Sequence, residues 1–483
     1  MEWMNIVDEL EWVNRNKIVE PRNYEIPFDF GNGALGRTSI KKTRATLTSN
    51  KIIQKGTFIC ISIVTFDDNG RPRNRGGDFF SARMSNDYQQ KSTSGRVVDH
   101  GNGTYSVYFY AAWAGKARIT IALTFVREFI NYIKDALKKQ EQLIEFTGTY
   151  LDGVVTEATS CHLINEGIWS DMCEYTNLNS VGKTVLVCNK PSNIDCSKLA
   201  KLSVAATRLD SLAASEIGRT KNLFERQSDQ AILEGMPMKL TIHDSQIGFP
   251  KLPSCGPDLP IPLTDGYWNN NQTYISMVCR SQQWTLDTFH KCAANKKFIG
   301  SGDSVLRQFI PLFTEFKDNF DFQFMTPRIA GPNVSIWEPL FENDIIDNIS
   351  QSDCQSRNYV VIQNFCFHYG AWSTRSFVER LVQAKLSVER LMKRCRDPKI
   401  VIKMSHSRDN VYVEQQVHSN NWNFYDMNRI IRRVFGGIGV YFVDVWDMVI
   451  SSFYDITVHM DMVVIRQEFY LMLSYICPEL VKA

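Results

Sequence analysis

Six short runs rich in β-branched and aromatic residues stand between positions 45 and 125, with no helical pattern between them. They are Ala45–Thr48, Thr57–Phe66, Asp78–Met84, Thr93–Asp99, Thr104–Ala112 and Ala117–Phe125. The gaps hold Asp67-Asp68-Asn69-Gly70, Gly76-Gly77 and His100-Gly101-Asn102-Gly103. Such residues supply the positive φ angles and local side-chain bonds that tight turns need. Thr104–Tyr110 alternates in the manner of a strand with one buried face. Without crossover helices these strands must cover their apolar faces with one another, which predicts a β-sandwich over residues 30–130. Nothing in that stretch looks catalytic.

Residues 131–247 read as a cysteine-rich and helical connecting segment. Phe129–Glu145 has the spacing of an amphipathic helix or a linker, Leu151–Lys201 carries Cys161, Cys173, Cys188 and Cys196 with few apolar runs, and Leu202–Glu234 is weakly helical. A segment with so little apolar material is better stapled than core-packed. Pro250, Pro253, Pro260 and Pro262 then mark a boundary. Over residues 248–483 strand-like runs (Tyr359–Phe365, Lys399–Met404, Val440–Val445) alternate with helical ones (Arg375–Cys395, Trp422–Phe435, Met462–Ile476). That rhythm predicts a mostly parallel three-layer α/β sheet, with its site at the carboxyl ends of the strands. The fold class is therefore multidomain α+β.

One corner of that last domain falls where a site should be. In Lys296-Lys297-Phe298-Ile299-Gly300-Ser301-Gly302-Asp303-Ser304-Val305-Leu306-Arg307-Gln308 an apolar run reaches a glycine-rich turn, and helical spacing follows. A serine there presents its hydroxyl to solvent while its own N–H, at a helix start, faces a developing oxyanion. The same residues equally make a helix cap with an Asx turn at Asp303.

Bulk properties narrow the classes. At 483 residues the chain exceeds one ordinary core, and a formal charge of +2 argues against a nucleic-acid partner, which needs a clustered basic face. No apolar run is long enough to span a membrane. Twelve cysteines occur without a tight Cys-x-x-Cys pair, so a zinc knuckle is not expected and no metal is implied. With sequons beginning at Asn102, Asn271, Asn333 and Asn348, the cysteines favour disulfides and an oxidising compartment over scattered buried thiols. Met1–Asn14 has no apolar core of a signal peptide, which stands against that compartment.

Seven segments occur in order along the chain: Gly76-Gly77-Asp78-Phe79-Phe80-Ser81-Ala82-Arg83, Asp99-His100-Gly101-Asn102-Gly103-Thr104-Tyr105, the Cys161–Cys196 series, Gly266-Tyr267-Trp268, Gly302–Gln308, Val443-Asp444-Val445-Trp446-Asp447-Met448 and Leu473-Ser474-Tyr475-Ile476-Cys477. Through them the chain, from about Phe30 to Cys477, resembles the neurexophilin and PC-esterase domain (NXPE) family, whose C-terminal half is a relative of the GDSL/SGNH hydrolases. It implies an immunoglobulin/filamin-like sandwich, a cysteine-rich middle and an SGNH-hydrolase-like C-terminal domain. It also implies O-acyl chemistry, usually acetyl, on sugar hydroxyls of cell-surface glycans or glycoproteins, by a transferase or an esterase. No bound cofactor is implied, with acetyl-CoA as acyl donor in the transferase case, and the compartment would be the Golgi lumen or the exterior.

On the family pattern Ser304 is the nucleophile, His459 its general base and Asp455 the acid. Gly331 and Asn364 are oxyanion donors, and His368 and Arg307 lie at the substrate. This chain departs from the pattern in three places. The acid's usual position is Ile456, Met460 follows the histidine, and Ile299-Gly300-Ser301 replaces a more apolar run. These departures keep open a second reading: a catalytically degenerate adhesion or ligand protein whose sandwich binds a cell-surface partner. Tyr267 and Trp268 are expected to pack rather than to stack on sugar.

Overall fold

A computed structural model describes residues 37–49, 52–138, 146–164, 171–175, 185–204, 231–324, 342–365, 367–370, 374–409 and 419–482. It is a mixed α+β structure, rich in sheet and cross-linked by disulfides.

The amino-terminal strands are β1 (Arg44–Leu47), β2 (Ile53–Gln54), β3 (Phe58–Val64), β4 (Phe79–Asn86), β5 (Lys91–Ser94), β6 (Arg96–Asp99), β7 (Thr104–Tyr110) and β8 (Gly115–Phe125). One sheet runs β1-β3-β7-β6, and the facing sheet contains β5-β4-β8. Alternate residues fill the space between: Ile59, Ile61, Ile63, Val107 and Phe109 meet Phe80, Met84, Ile119, Ile121 and Leu123. The run expected as a single strand, Thr93–Asp99, is two strands in different sheets. It breaks at Gly95, where a Cβ would stand 2.7 Å from the Phe109 ring. Only glycine lets the chain cross between the layers there.

The middle segment departs from its helical reading. After the Arg127–Lys138 helix come β9 (Phe146–Asp152), β10 (Val155–Ile164), β11 (Met172–Tyr175), β12 (Val185–Asn189) and β13 (Leu199–Val204), an antiparallel sheet in the order β11-β12-β10-β9-β13. Its small core of Tyr150, Ile194, Leu199 and cysteines is held by Cys161–Cys188 and Cys173–Cys196. Cys161 and Cys188 are direct cross-strand partners, so the staple and the register agree. The proposed helix over Leu202–Glu234 begins on β13, and residues 205–230 lie outside the described residues.

Strands β14 (Met238–His243), β15 (Gly266–Asn270) and β16 (Thr273–Ser276), which the sequence places beyond the sandwich, join its larger sheet, completing the order β16-β15-β5-β4-β8-β14-β2. Trp268 is fully buried there and donates from Nε1 to Met448 O at 2.9 Å, a packing role as expected. Arg96 reaches Asp265 at 2.7 Å and Asp447 at 3.3 Å across the same seam.

The carboxyl-terminal sheet is wholly parallel: β17 (Lys296–Gly302), β18 (Phe320–Phe324), β19 (Asn358–Asn364), β20 (Lys399–Lys403) and β21 (Tyr441–Val443), in the order β18-β17-β19-β20-β21. Ile299, Val361, Ile400 and Ile402 face one helical layer, containing Thr374–Arg394 and Asn421–Phe435. Phe298, Val360, Ile362 and Val401 face the other, with Leu286–Ala293 and Met462–Ile476. A strand buried on both faces must be apolar on both, and these are. The order reverses between β17 and β19, so the switch point where such sheets bind ligands lies beside Ser304. Cys292–Cys477, closing a separation of 185 residues, ties the first helix of this layer to the last.

Candidate active site

Two glycines shape the turn that ends β17. A Cβ on Gly300 would come 2.1 Å from the Phe320 ring, and one on Gly302 2.8 Å from Asn364 Cβ. Glycine at both places lets β18 and β19 close on β17. The atypical Ile299-Gly300-Ser301 run thus makes room for Phe320.

Asp303 then caps the Ser304–Arg307 helix. Its Oδ1 accepts from Val305 N at 2.9 Å and its Oδ2 from Phe367 N at 3.1 Å. One buried carboxylate therefore joins the Ser304 turn to the Phe367–Tyr369 turn after β19. Burial raises its pKa, opposed first by His368 and then by the two N–H donors and Lys403.

Ser304 stands half-buried as the first residue of that helix, where its N–H has no intrahelical acceptor. His459 lies on the loop between the Trp446–Ile450 and Met462–Ile476 helices, and its Nε2 is 2.7 Å from Ser304 Oγ. Residues 155 apart are thereby brought to hydrogen-bond distance at the carboxyl end of the sheet.

The other expected residues divide. His368 is exposed on the neighbouring turn and acts electrostatically on Asp303. Arg307 is exposed on the Ser304 helix. Asn364 is buried, and its Nδ2 donates to Lys403 O at 3.0 Å, so the amide is engaged in joining β19 to β20. Asp455 is exposed, and no hydrogen bond or ion pair joins it to His459 among the described residues. Gly331 lies outside the described residues.

Sequence reasoning passed over His406. This fully buried histidine sits just after β20, 3.1 Å from Thr457 O through Nε2 and edge-on to Phe367 with ring centroids 4.9 Å apart. Burial first, then the charge of Lys403, pushes its pKa down to about 3, against the Thr457 and Val458 carbonyls. The signal was available: Ser405-His406-Ser407 is a polar triplet at the carboxyl end of an apolar strand, where sites in such sheets collect. Nearby, Lys403 and Glu468 form a buried pair at 3.2 Å.

Comparison with known proteins bears on both halves. A model of the C-terminal domain of NXPE family member 4-like proteins matches residues 323–477, and a neurexophilin model matches residues 62–211. The chain belongs to the NXPE family. The C-terminal match contains His459, Asp455, Asn364 and His368 and begins after Ser304. Among solved structures, the crystal structure of invasin, a bacterial integrin-binding protein, is similar over 46% of this chain and 43% of its own, at 11% identity and a TM-score of 0.16. A score that low carries no argument about fold or function.

Proposed function

We propose that the protein moves O-acyl groups, acetyl foremost, on or off sugar hydroxyls of cell-surface glycans, using Ser304 as nucleophile and His459 as base. The observation that carries this is the 2.7 Å contact between Ser304 Oγ and His459 Nε2 at the switch point of a parallel sheet. The NXPE assignment supports it, because the family is related to PC-esterase-like enzymes.

On this reading residues 248–483 form an SGNH-like acyl-transfer domain and the sandwich carries it. As Ser304 Oγ attacks the acyl carbonyl, its proton passes to His459 Nε2. The negative charge on the former carbonyl oxygen is met by Ser304 N–H, a donor typically worth about 3–4 kcal/mol in the transition state. His459 returns the proton to the departing atom, oxygen from an ester donor or sulfur from a thioester donor, leaving an acyl-serine. A sugar hydroxyl or water, deprotonated by the same imidazole, attacks that ester and releases Ser304. Transferase and hydrolase share every residue and differ only in which acceptor reaches the acyl-serine. The five disulfides among the described residues fit the oxidising secretory pathway as the place of reaction.

A second reading, a catalytically silent ligand-binding protein, is favoured by one observation: among the described residues no carboxylate is bonded to the His459 ring. Hydrolysis of an activated aryl acetate separates the two. We expect turnover by the parent protein and none by Ser304→Ala. Equal rates for both would transfer support to the binding reading.

A further inference from the structure

The loop that carries His459 is held by its carbonyl groups. Asp409 N donates to Ile456 O at 2.9 Å, His406 Nε2 to Thr457 O at 3.1 Å, Thr457 Oγ1 to His459 O at 2.6 Å, and Gln308 Nε2 to Met460 O at 3.0 Å. The donors come from three places: the segment after β20, the loop itself, and the turn that follows the Ser304 helix. We propose that this backbone clamp, with Gln308 and His406 as its positioning residues, orients the His459 imidazole toward Ser304 in place of a triad carboxylate. The inference rests on the acyl-transfer reading of the site.

Each positioning residue is built for that one task. A carbonyl only accepts, so His406 must carry its proton on Nε2, and its buried Nδ1 then has no hydrogen-bond partner. By the same logic Gln308 turns its amide nitrogen to Met460 O and leaves its buried Oε1 without a partner. Neither side chain is satisfied at its other end, so each bonds to the loop at a cost. Gln308 also sits four residues from Ser304, and its bond to Met460 O sets nucleophile and base in one frame. His406 packs on Phe367, whose N–H is bonded to Asp303, so the second donor is referred to the same turn.

Four variants test the assignment. Gln308→Met keeps the shape and removes the donor. His406→Phe keeps a ring against Phe367 and removes the donor, whereas His406→Gln keeps a donor at nearly the same reach. Ser304→Ala marks the background. The first readout is the rate of covalent labelling by a fluorophosphonate from pH 5 to 9. Gln308→Met and His406→Phe are expected to lower the plateau by ten-fold or more without moving its inflection, and His406→Gln to restore most of it. A merely structural role would lower thermal stability in step with the rate, so melting temperature is measured alongside. Gln308→Met, which also removes an unpartnered buried oxygen, should melt within a few degrees of the parent. Plateaus within two-fold of the parent for both donor-less variants would overturn the clamp.

The second readout does not need activity. Crystal structures of Gln308→Met and His406→Phe should show the His459 ring displaced from Ser304 Oγ, and an unchanged contact would overturn the proposal. If the parent protein takes no label at all, the nucleophile reading fails. The displacement of His459 then decides the clamp by itself.

Discussion

Asp455 belongs to the loop that presents His459, whereas His406 is bonded to that loop from outside, and the two make different claims on the imidazole. The sequence offers Asp455 as the acid because it is the nearest carboxylate before the histidine, one residue out of the family's spacing. The structure leaves it exposed and unbonded to the imidazole, while Thr457 Oγ1 closes a tight turn onto His459 O. Losing a triad acid costs about 10⁴-fold in turnover. Asp455→Asn is therefore expected to cost less than three-fold in aryl acetate hydrolysis, and a loss of a hundred-fold or more would restore Asp455 to the site.

His406 gives a second prediction. Its pKa falls from 6.5 to about 3 on folding, so the unfolded chain binds the extra proton. The associated stability is fully present above pH 6.5 and declines as pH falls toward 3. By pH 5 the loss is about 2 kcal/mol. Urea denaturation at pH 8 and pH 5 should show that loss in the parent protein and little of it in His406→Gln. The histidine was legible as a polar residue at a strand end. Its neutrality was not, because that depends on what packs around it: Phe367, Lys403 and the Thr457 carbonyl.

At the level of elements, periodicity reached far into this chain. The helices at Thr374–Arg394, Asn421–Phe435 and Met462–Ile476 and strands β17, β19, β20 and β21 stand close to their sequence positions, because an apolar run buried on two faces has few alternatives, whereas the edge strand β18 (Phe320–Phe324) had no such reading. What failed was local texture that only a partner explains. Leu151–Lys201 reads as a stapled connector because it is polar, yet cross-strand pairing satisfies the backbones of β9 to β13 and two disulfides substitute for a larger core. Thr93–Asp99 read as one strand because a single glycine does not show which sheet its flanks will join. Gly300 looked like a defect until Phe320 was seen against it. Gly300→Ala should therefore destabilise the protein by about 1–3 kcal/mol through overpacking. Phe320→Leu is expected to recover part of that in a double-mutant cycle, and strictly additive effects would mean the contact is not the cause.

At the scale of the whole molecule, the sandwich's larger sheet and the α/β half are in direct contact along one seam. The strands that follow the proline-rich stretch, β15 and β16, extend the sandwich's own sheet, and Trp268 and Arg96 tie that sheet to the helix at Trp446–Ile450. No proline count could have shown this, since a linker and a strand lead-in have the same composition. Among the described residues no helix is long and apolar enough to cross a membrane. Asp265 is buried beside Asp447, and burial followed by that neighbour's charge raises its pKa well above the usual carboxylate range, with Arg96 opposing.

The α/β half thus presents its Ser304–His459 pair from a sheet braced against the sandwich. Its claim to be an enzyme rests on that pair. Intact-protein mass spectrometry after exposure to a fluorophosphonate addresses it most directly. The account predicts a single adduct that maps to Ser304 and is absent from Ser304→Ala and His459→Gln. A folded parent protein that takes no adduct, or takes it on another residue, would contradict it.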